Sequence, residues 1–233
     1  MKAAIFFSVF FGTLEQDNTM PRISMNDAQI SKTREKILDI AAEIINEDGY
    51  QNLSMRKIGS RVGMTASNLY NYYAGKDEIN IAIRLRAGRV LYEDLLEGYE
   101  AGKDMSEKIW LMMKAYIRFG LLKPNYYSIM FDMPTPKYAN YVGSPLEELA
   151  RQEKESSEQS VALLLRCTKE FQGRGYVIPD DPNLFMTIIW GQLHGLVSLY
   201  NNNSISEIVD TPEQLIEKAL GKVYEIFFRQ RAE

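Results

Sequence analysis

The chain has 233 residues, 45% of them hydrophobic and 25% charged, a balance that excludes collagen-like, low-complexity and intrinsically disordered classes. One cysteine and one histidine rule out an intramolecular disulfide framework, leave too few soft ligands for a zinc site, and confine any imidazole chemistry to His194. The net charge of −4 conceals a gradient: residues 31–89 carry 10 Lys/Arg against 7 Asp/Glu, residues 90–233 carry 15 against 21. A locally basic segment therefore precedes an acidic body.

No apolar run is long enough to span a membrane. Ala3 to Leu14 (AAIFFSVFFGTL) mimics the apolar core of a signal peptide, but no small-x-small cleavage site follows. Met20 and Met25 stand just ahead of the first convincing helix, so the expectation is a misplaced start. Residues 1–28 are set aside as a disordered or artefactual extension.

Residues 31–48 form the first helix, with Ile37, Leu38, Ala41, Ile44 and Ile45 on one face. Gly49 is a left-handed cap candidate, and Tyr50 can fold back on the last turn. Ser54 then reads as the N-cap of a two-turn helix, Met55 to Val62, with Leu53 and Ile58 at the staple positions. Gly63 ends it. Thr65 caps a third helix, Ala66 to Tyr73, again with a Met64–Leu69 staple. Lys76-Asp77-Glu78 opens a fourth, running to about Gly98, with acids in its first turn.

Two short capped helices joined at a glycine have the layout of a helix-turn-helix. Neither can hold itself, so both must pack on the first helix through Ile58, Val62, Leu69 and Tyr73. Gly59 lacks a side chain where the two would cross. The third helix displays Ser67, Asn68, Tyr70, Asn71 and Tyr72, neutral hydrogen-bonding groups suited to reading a groove.

Thr33 to Ile83 resembles the DNA-binding domain of the TetR (tetracycline-repressor) family of bacterial regulators. The resemblance rests on Ala41, the Gly49 break, the Leu53-Ser54 start, Ile58, Gly63-Met64-Thr65, Leu69-Tyr70, Tyr73 and the Gly75-Lys76-Asp77-Glu78 exit. Gly59 departs from the alanine usual in the family, a change expected to leave the turn intact. The resemblance implies that Ala66, Ser67, Asn68, Tyr70 and Asn71, behind the Thr65 cap, meet bases or adjacent phosphates. Asparagine can bond adenine N6 and N7 together, at about 1–3 kcal/mol of discrimination. With no arginine on this helix, affinity is expected to lean on phosphate contacts from Ser54, Arg56, Tyr72 and Lys76, with Lys32 and Arg34 as an arm along the backbone. Lys57 and Arg61 read instead as solvated surface charges.

Beyond Leu85 the pattern stays helical: Met105 to Leu122, a short helix at 126–132, a long helix from Pro145 to about Gln172 ended by Gly173 and Gly175, Asn183 to Asn201, and a last helix from Pro212 with Thr211 as N-cap. Pro179-Asp180-Asp181-Pro182 leads into the penultimate one. That helix is apolar most of the way round, and Gly191 and Gly195 permit close approach, so it is either buried or covered by a second subunit. The resemblance implies homodimerisation through 183–201 and 212–229, and hence a palindromic operator with half-sites about 34–36 Å, or a multiple, apart. Trp190 to Gly195 also resembles a Trp-x-x-x-His-Gly signature of one TetR subgroup.

His194 is expected to pack at a helix interface, hydrogen-bonded to a neighbouring group, and Cys167 to be a small buried hydrophobe. Trp110, Met113, Tyr116, Tyr127, Met130, Phe131, Met186, Trp190 and His194 are the candidate lining of an effector pocket, and the absence of an obvious buried charge points to a neutral or hydrophobic effector. The expectation is thus an all-α chain: a three-helix helix-turn-helix DNA-binding domain over 29–78, then a larger helical effector-binding and dimerisation domain over 79–233. It is read as a cytoplasmic repressor, not an enzyme, released from operator DNA by a small molecule, without cofactor or metal. The rivals are a DNA-binding protein controlled by a protein partner and a small-molecule carrier or enzyme on the same fold. No paired carboxylates or nucleophile–base spacing supports the latter.

Overall fold

The computed structural model describes residues 25–174 and 181–228, and among them all regular structure is helical. In chain order the helices are α1 (Met25–Asp48), α2 (Met55–Val62), α3 (Ala66–Leu69), α4 (Lys76–Ala101), α5 (Met105–Leu122), α6 (Pro124–Phe131), α7 (Glu147–Gly173), α8 (Pro182–Asn201) and α9 (Pro212–Phe228), with single 3-10 turns at Tyr50–Asn52 and Tyr138–Asn140. None of the described helices is long and apolar enough to cross a membrane. The signal-like run, Gly175 and Pro179-Asp180 lie outside the described residues.

The local signals of the head act as their chemistry requires. Ser54 Oγ accepts from Lys57 N at 3.2 Å and Thr65 Oγ1 from Asn68 N at 3.1 Å, each satisfying an otherwise orphaned amide of a helix too short to persist alone. Gly63 takes the left-handed conformation, φ 87° and ψ 33°, and its amide closes on Gly59 O at 3.0 Å. Ile37, Ala41, Ile44, Ile45, Ile58 and Leu69 are wholly buried together, each isoleucine and the leucine contributing about 1.5–3 kcal/mol of transfer free energy.

Two boundaries in the head differ from expectation. The first helix begins at Met25, inside the segment set aside as an extension, because Met25 to Lys32 contains no breaker and places Asp27 in the first turn. Lys32 and Arg34 accordingly sit in a helix, not in a backbone-tracking arm. The third helix stops at Leu69 instead of Tyr73. Its continuation tightens into bonds from Asn71 N to Asn68 O (3.1 Å) and Tyr72 N to Leu69 O (3.0 Å). Asparagines and tyrosines there are weak helix formers, and Asn71 Nδ2 bonds Asn68 Oδ1 at 3.1 Å, while buried Tyr73 pulls the chain back to the core.

α4 starts in the head, where Ile79 and Ile83 are buried with α1 and α2, and ends in the body, where Ala87, Leu91 and Leu95 join a second core. That core is built on α5 and closed by α7, α8 and α9, with Phe119, Tyr127, Phe171 and Val197 nearly or wholly inaccessible. At the α5–α8 crossing, a Cβ on Gly120 would meet Val197 Cγ1 at 2.4 Å, so only glycine allows this approach. α6 serves both cores. Ile129 is wholly buried in the head cluster and Tyr127 in the body cluster, two residues apart on a two-turn helix opened by Pro124 at its first position.

Candidate nucleic-acid interface and ligand cavity

The turn between α2 and α3 is tight for a stated reason: a Cβ at Gly59 would stand 2.8 Å from Met64 O and 3.3 Å from Ala66 N. The glycine therefore does more than leave the turn intact, because alanine in this backbone collides with main-chain atoms. Around the turn, Ser54, Arg56, Thr65, Ser67, Asn68, Tyr70 and Asn71 are exposed, while Ala66, Tyr72 and Lys76 are half-buried. Tyr70 is 55% exposed although Leu69 beside it is wholly buried, so the anchor and the display residue alternate within one turn. Lys76 Nζ lies 4.7 Å from the Tyr50 ring centroid, a cation–π contact that orients it. Lys57 is paired with Asp48 at 2.6 Å and Arg61 with Glu47, so both surface cations are bound to the end of α1. In the first turns of α1, Lys32 is exposed and Arg34 half-buried.

A partly open cavity of about 70 Å³, room for roughly five water-sized atoms, lies in the body between α4, α5, α7, α8 and α9. Of the candidate pocket residues, Met113, Tyr116, Met186 and Trp190 line it. Trp110, Tyr127, Met130, Phe131 and His194 do not. Trp110 turns to the outside of α5, where its ring stands edge-on to Tyr224 with centroids 5.4 Å apart. Met130 is buried away from the cavity, and Tyr127, Phe131 and His194 form a layer behind Tyr116. The wall that sequence reading missed is the C-terminal half of α7, Leu164, Cys167, Thr168 and Phe171, with Leu95 and Phe228. Burial pushes the Cys167 thiol up to about 12.

The polar layer is continuous. Trp190 Nε1 donates to Tyr116 Oη at 2.8 Å, Tyr116 and Tyr127 hydroxyls are 2.9 Å apart, and Tyr127 Oη lies 2.6 Å from His194 Nδ1. His194 Nε2 faces Asp132 Oδ1 at 3.4 Å. Burial raises the Tyr116 hydroxyl to about 12, its hydrogen bonds with Tyr127 and Trp190 acting against it. Asp132 is raised by burial, with His194 opposing. His194 is thus held at a helix interface by side chains.

A buried charge pair, absent from the sequence reading, ties α6 in place. Arg84 on α4 donates from Nη1 to Ile129 O (3.1 Å) and from Nη2 to Glu153 Oε1 on α7 (3.0 Å). The α6 entrance is held from the head side: Asn46 Nδ2 donates to Asn125 O at 3.0 Å and Tyr126 Oη to Asp39 Oδ1 at 2.6 Å. Arg86 bridges the same Asp39 at 3.0 Å and lies over the Tyr126 ring. α6 is therefore hydrogen-bonded to α1 at one end and to α4 at the other.

A helix-turn-helix head on a larger all-helical body with an apolar cavity defines a class, the helix-turn-helix transcriptional regulators. Residues 37–83 match the model for bacterial regulatory proteins of the tetR family, and residues 110–223 match the tetracyclin repressor-like C-terminal domain, together more than two thirds of the chain. The chain belongs to the TetR family, a family of DNA-binding transcriptional regulators. It is 26% identical over 99 residues to the uncharacterized HTH-type transcriptional regulator YobS of Bacillus subtilis, a match covering 42% of this chain and about half (51%) of that one. It is 21% identical over 183 residues to the HTH-type transcriptional regulator Rv0681 of Mycobacterium tuberculosis, covering 77% and 74%. In fold it is similar to a TetR family regulator from Marinobacter aquaeolei VT8, with a TM-score of 0.65 at 18% identity over 85% of this chain and 96% of that one.

Proposed function

We propose that this regulator is a cytoplasmic repressor that binds palindromic operator DNA as a homodimer and is released when a small, largely hydrophobic molecule enters the cavity of its body. The observation that carries the proposal is the divided packing of α6, with Ile129 in the head core and Tyr127 in the body core. An occupant larger than the cavity must part α5, α7 and α8. Tyr116 and Trp190, which line the cavity, pass that displacement to Tyr127 and so to α6. Because Asn125, Tyr126 and Ile129 hold α1 of the head, movement of α6 changes how the reading surface is presented.

In this reading Ser67, Asn68, Tyr70 and Asn71 meet bases, with Ala66 on a thymine methyl and Ser54, Arg56, Thr65, Tyr72 and Lys76 on the sugar–phosphate backbone. The second subunit covers α8 and α9. Leu184, Ile188, Leu199, Leu215 and Ile226 are exposed there, and nothing lies within 4 Å of the positions a Cβ would take on Gly191 or Gly195. Such a stripe of large apolar and glycine positions favours close helix packing across a two-fold axis.

Linkage tests the mechanism. An effector that weakens operator binding by some factor must have its own affinity weakened by operator by the same factor. Calorimetric titration of the effector into free protein and into the protein–operator complex measures the second of these effects. Equal affinity for the two would refute release of operator by the effector.

A further inference from the structure

The hydrogen bonds behind the cavity have a direction, and both ends fix it. Trp190 Nε1–H can only donate, so Tyr116 Oη accepts from it (2.8 Å). At the other end an ionised Asp132 can only accept, so the nitrogen of His194 facing it, Nε2, carries the hydrogen. In a neutral ring Nδ1 then accepts from Tyr127 Oη, and Tyr127 in turn accepts from Tyr116. Every hydrogen points from Trp190 toward Asp132. Tyr116 borders the cavity, yet its hydroxyl hydrogen is engaged with Tyr127 behind the wall and that of Thr168 with Leu164 O, so the lining offers the cavity only the weak Cys167 S–H as a donor.

The arrangement has one other fully satisfied state. If an acceptor atom arrives in the cavity at Tyr116, the Tyr116 hydrogen turns to it and the Tyr127 hydrogen turns to Tyr116 Oη, which can accept from Trp190 and Tyr127 together. Tyr127 Oη and His194 Nδ1 would then face one another at 2.6 Å with no hydrogen between them. A proton taken from solvent onto Nδ1 restores the bond and makes the ring an imidazolium, with Asp132 as its counter-charge. The groups facing His194 include Tyr127 from α6, Asp132 just beyond it, and the rings of Phe131 and of Trp190 on its own helix. The side chains of His194 and Asp132 are each about one third exposed, so the wet end of the chain of bonds can exchange protons while the Tyr116 end stays dry.

We infer that the effector is an apolar molecule carrying one hydrogen-bond acceptor, a carbonyl or carboxylate oxygen, that it receives the Tyr116 hydrogen, and that its binding takes up one proton at His194. This rests on the cavity being the effector site. A neutral hydrocarbon fills the same space without reversing the bonds.

Toluene, acetophenone and benzoate differ at one position and serve as probes. Calorimetry on the full chain, in two buffers of different ionisation enthalpy, gives affinity and protons taken up. Acetophenone or benzoate should bind about three- to tenfold more tightly than toluene, the worth of one net hydrogen bond. Each should take up close to one proton, against none for toluene, and the acetophenone-to-toluene ratio should fall to about one in Tyr116→Phe. Because the chain has a single histidine, the imidazole nitrogens give one unambiguous pair of 15N signals. They should report the Nε2–H tautomer in the free protein and protonation at both nitrogens once acetophenone or benzoate binds. Binding of toluene as tight as that of the two acceptors, or acceptor binding without proton uptake, overturns the inference and leaves the cavity reading standing. Binding of none of the three overturns both.

Discussion

Replacing Arg84 by methionine tests the buried joint between α4, α6 and α7. The substitution keeps most of the aliphatic volume but removes the guanidinium, leaving Glu153, 5% exposed, as a buried carboxylate with a hydrogen bond from Ser157 Oγ at 3.3 Å and the Lys137 charge acting on it without a direct bond. Ile129 O keeps a bond from Thr135 Oγ1 (3.2 Å) and Met130 O one from Lys137 Nζ (2.9 Å), so the loss is concentrated on the carboxylate. Breaking a buried pair from one side costs about 3–5 kcal/mol, because an uncompensated charge stays in the interior. With a urea m-value of about 3 kcal/mol/M, the unfolding midpoint should drop by about 1–1.7 M. Arg84→Met/Glu153→Leu should regain most of that loss, since removing both charges also removes the desolvation penalty. A single variant within about 1 kcal/mol of wild type, or a double variant no better than the single, would refute the argument.

Four further outcomes follow from the geometry. Gly59→Ala should destabilise the head by about 1–3 kcal/mol, as small-to-large changes in packed sites do, and weaken DNA binding; thermal unfolding checks it. Asn68→Ala or Asn71→Ala should relax preference at single base pairs, whereas Lys76→Ala should weaken all sequences alike and reduce the salt slope of binding, both read by competition titration. Because the folded Cys167 thiol stands at about 12 against an ordinary 9, its contribution to stability is complete below about pH 9 and lost as pH rises toward 12, and a thiol reagent at pH 8 should label only unfolded protein. Leu199→Glu, on the exposed face of α8, should shift sedimentation toward the monomer.

The head was legible because its signals are local. Ser54, Thr65 and Gly63 each act on amides within four residues, and those contacts do not depend on the rest of the fold. The Met105–Leu122 helix was read to its exact bounds for the same reason, as a long apolar period with Pro124 beyond it. The cavity was only partly legible. Met113, Tyr116, Met186 and Trp190 were found, but Leu164, Cys167 and Phe171 were not, because which face of α7 looks inward is set by its packing on α4, α5 and α8. Arg84 and Glu153 look in the sequence like ordinary surface charges. Only the crossing of α4 and α7 places them opposite one another, 69 positions apart. Gly59 lay between these cases: a close crossing was foreseen, but the main-chain atoms that forbid a methyl group belong to a turn whose geometry the sequence does not specify.

Selective recognition of operator DNA is the claim on which the rest depends, and fluorescence anisotropy measures it directly. The protein would be titrated at one fixed salt concentration against a labelled duplex from the DNA flanking its own coding sequence and against a scrambled duplex of equal composition. Binding to the flanking duplex at least a thousandfold tighter, roughly the low end for specific over non-specific recognition, is the expected result. Equal, weak and salt-sensitive binding to both duplexes would contradict it.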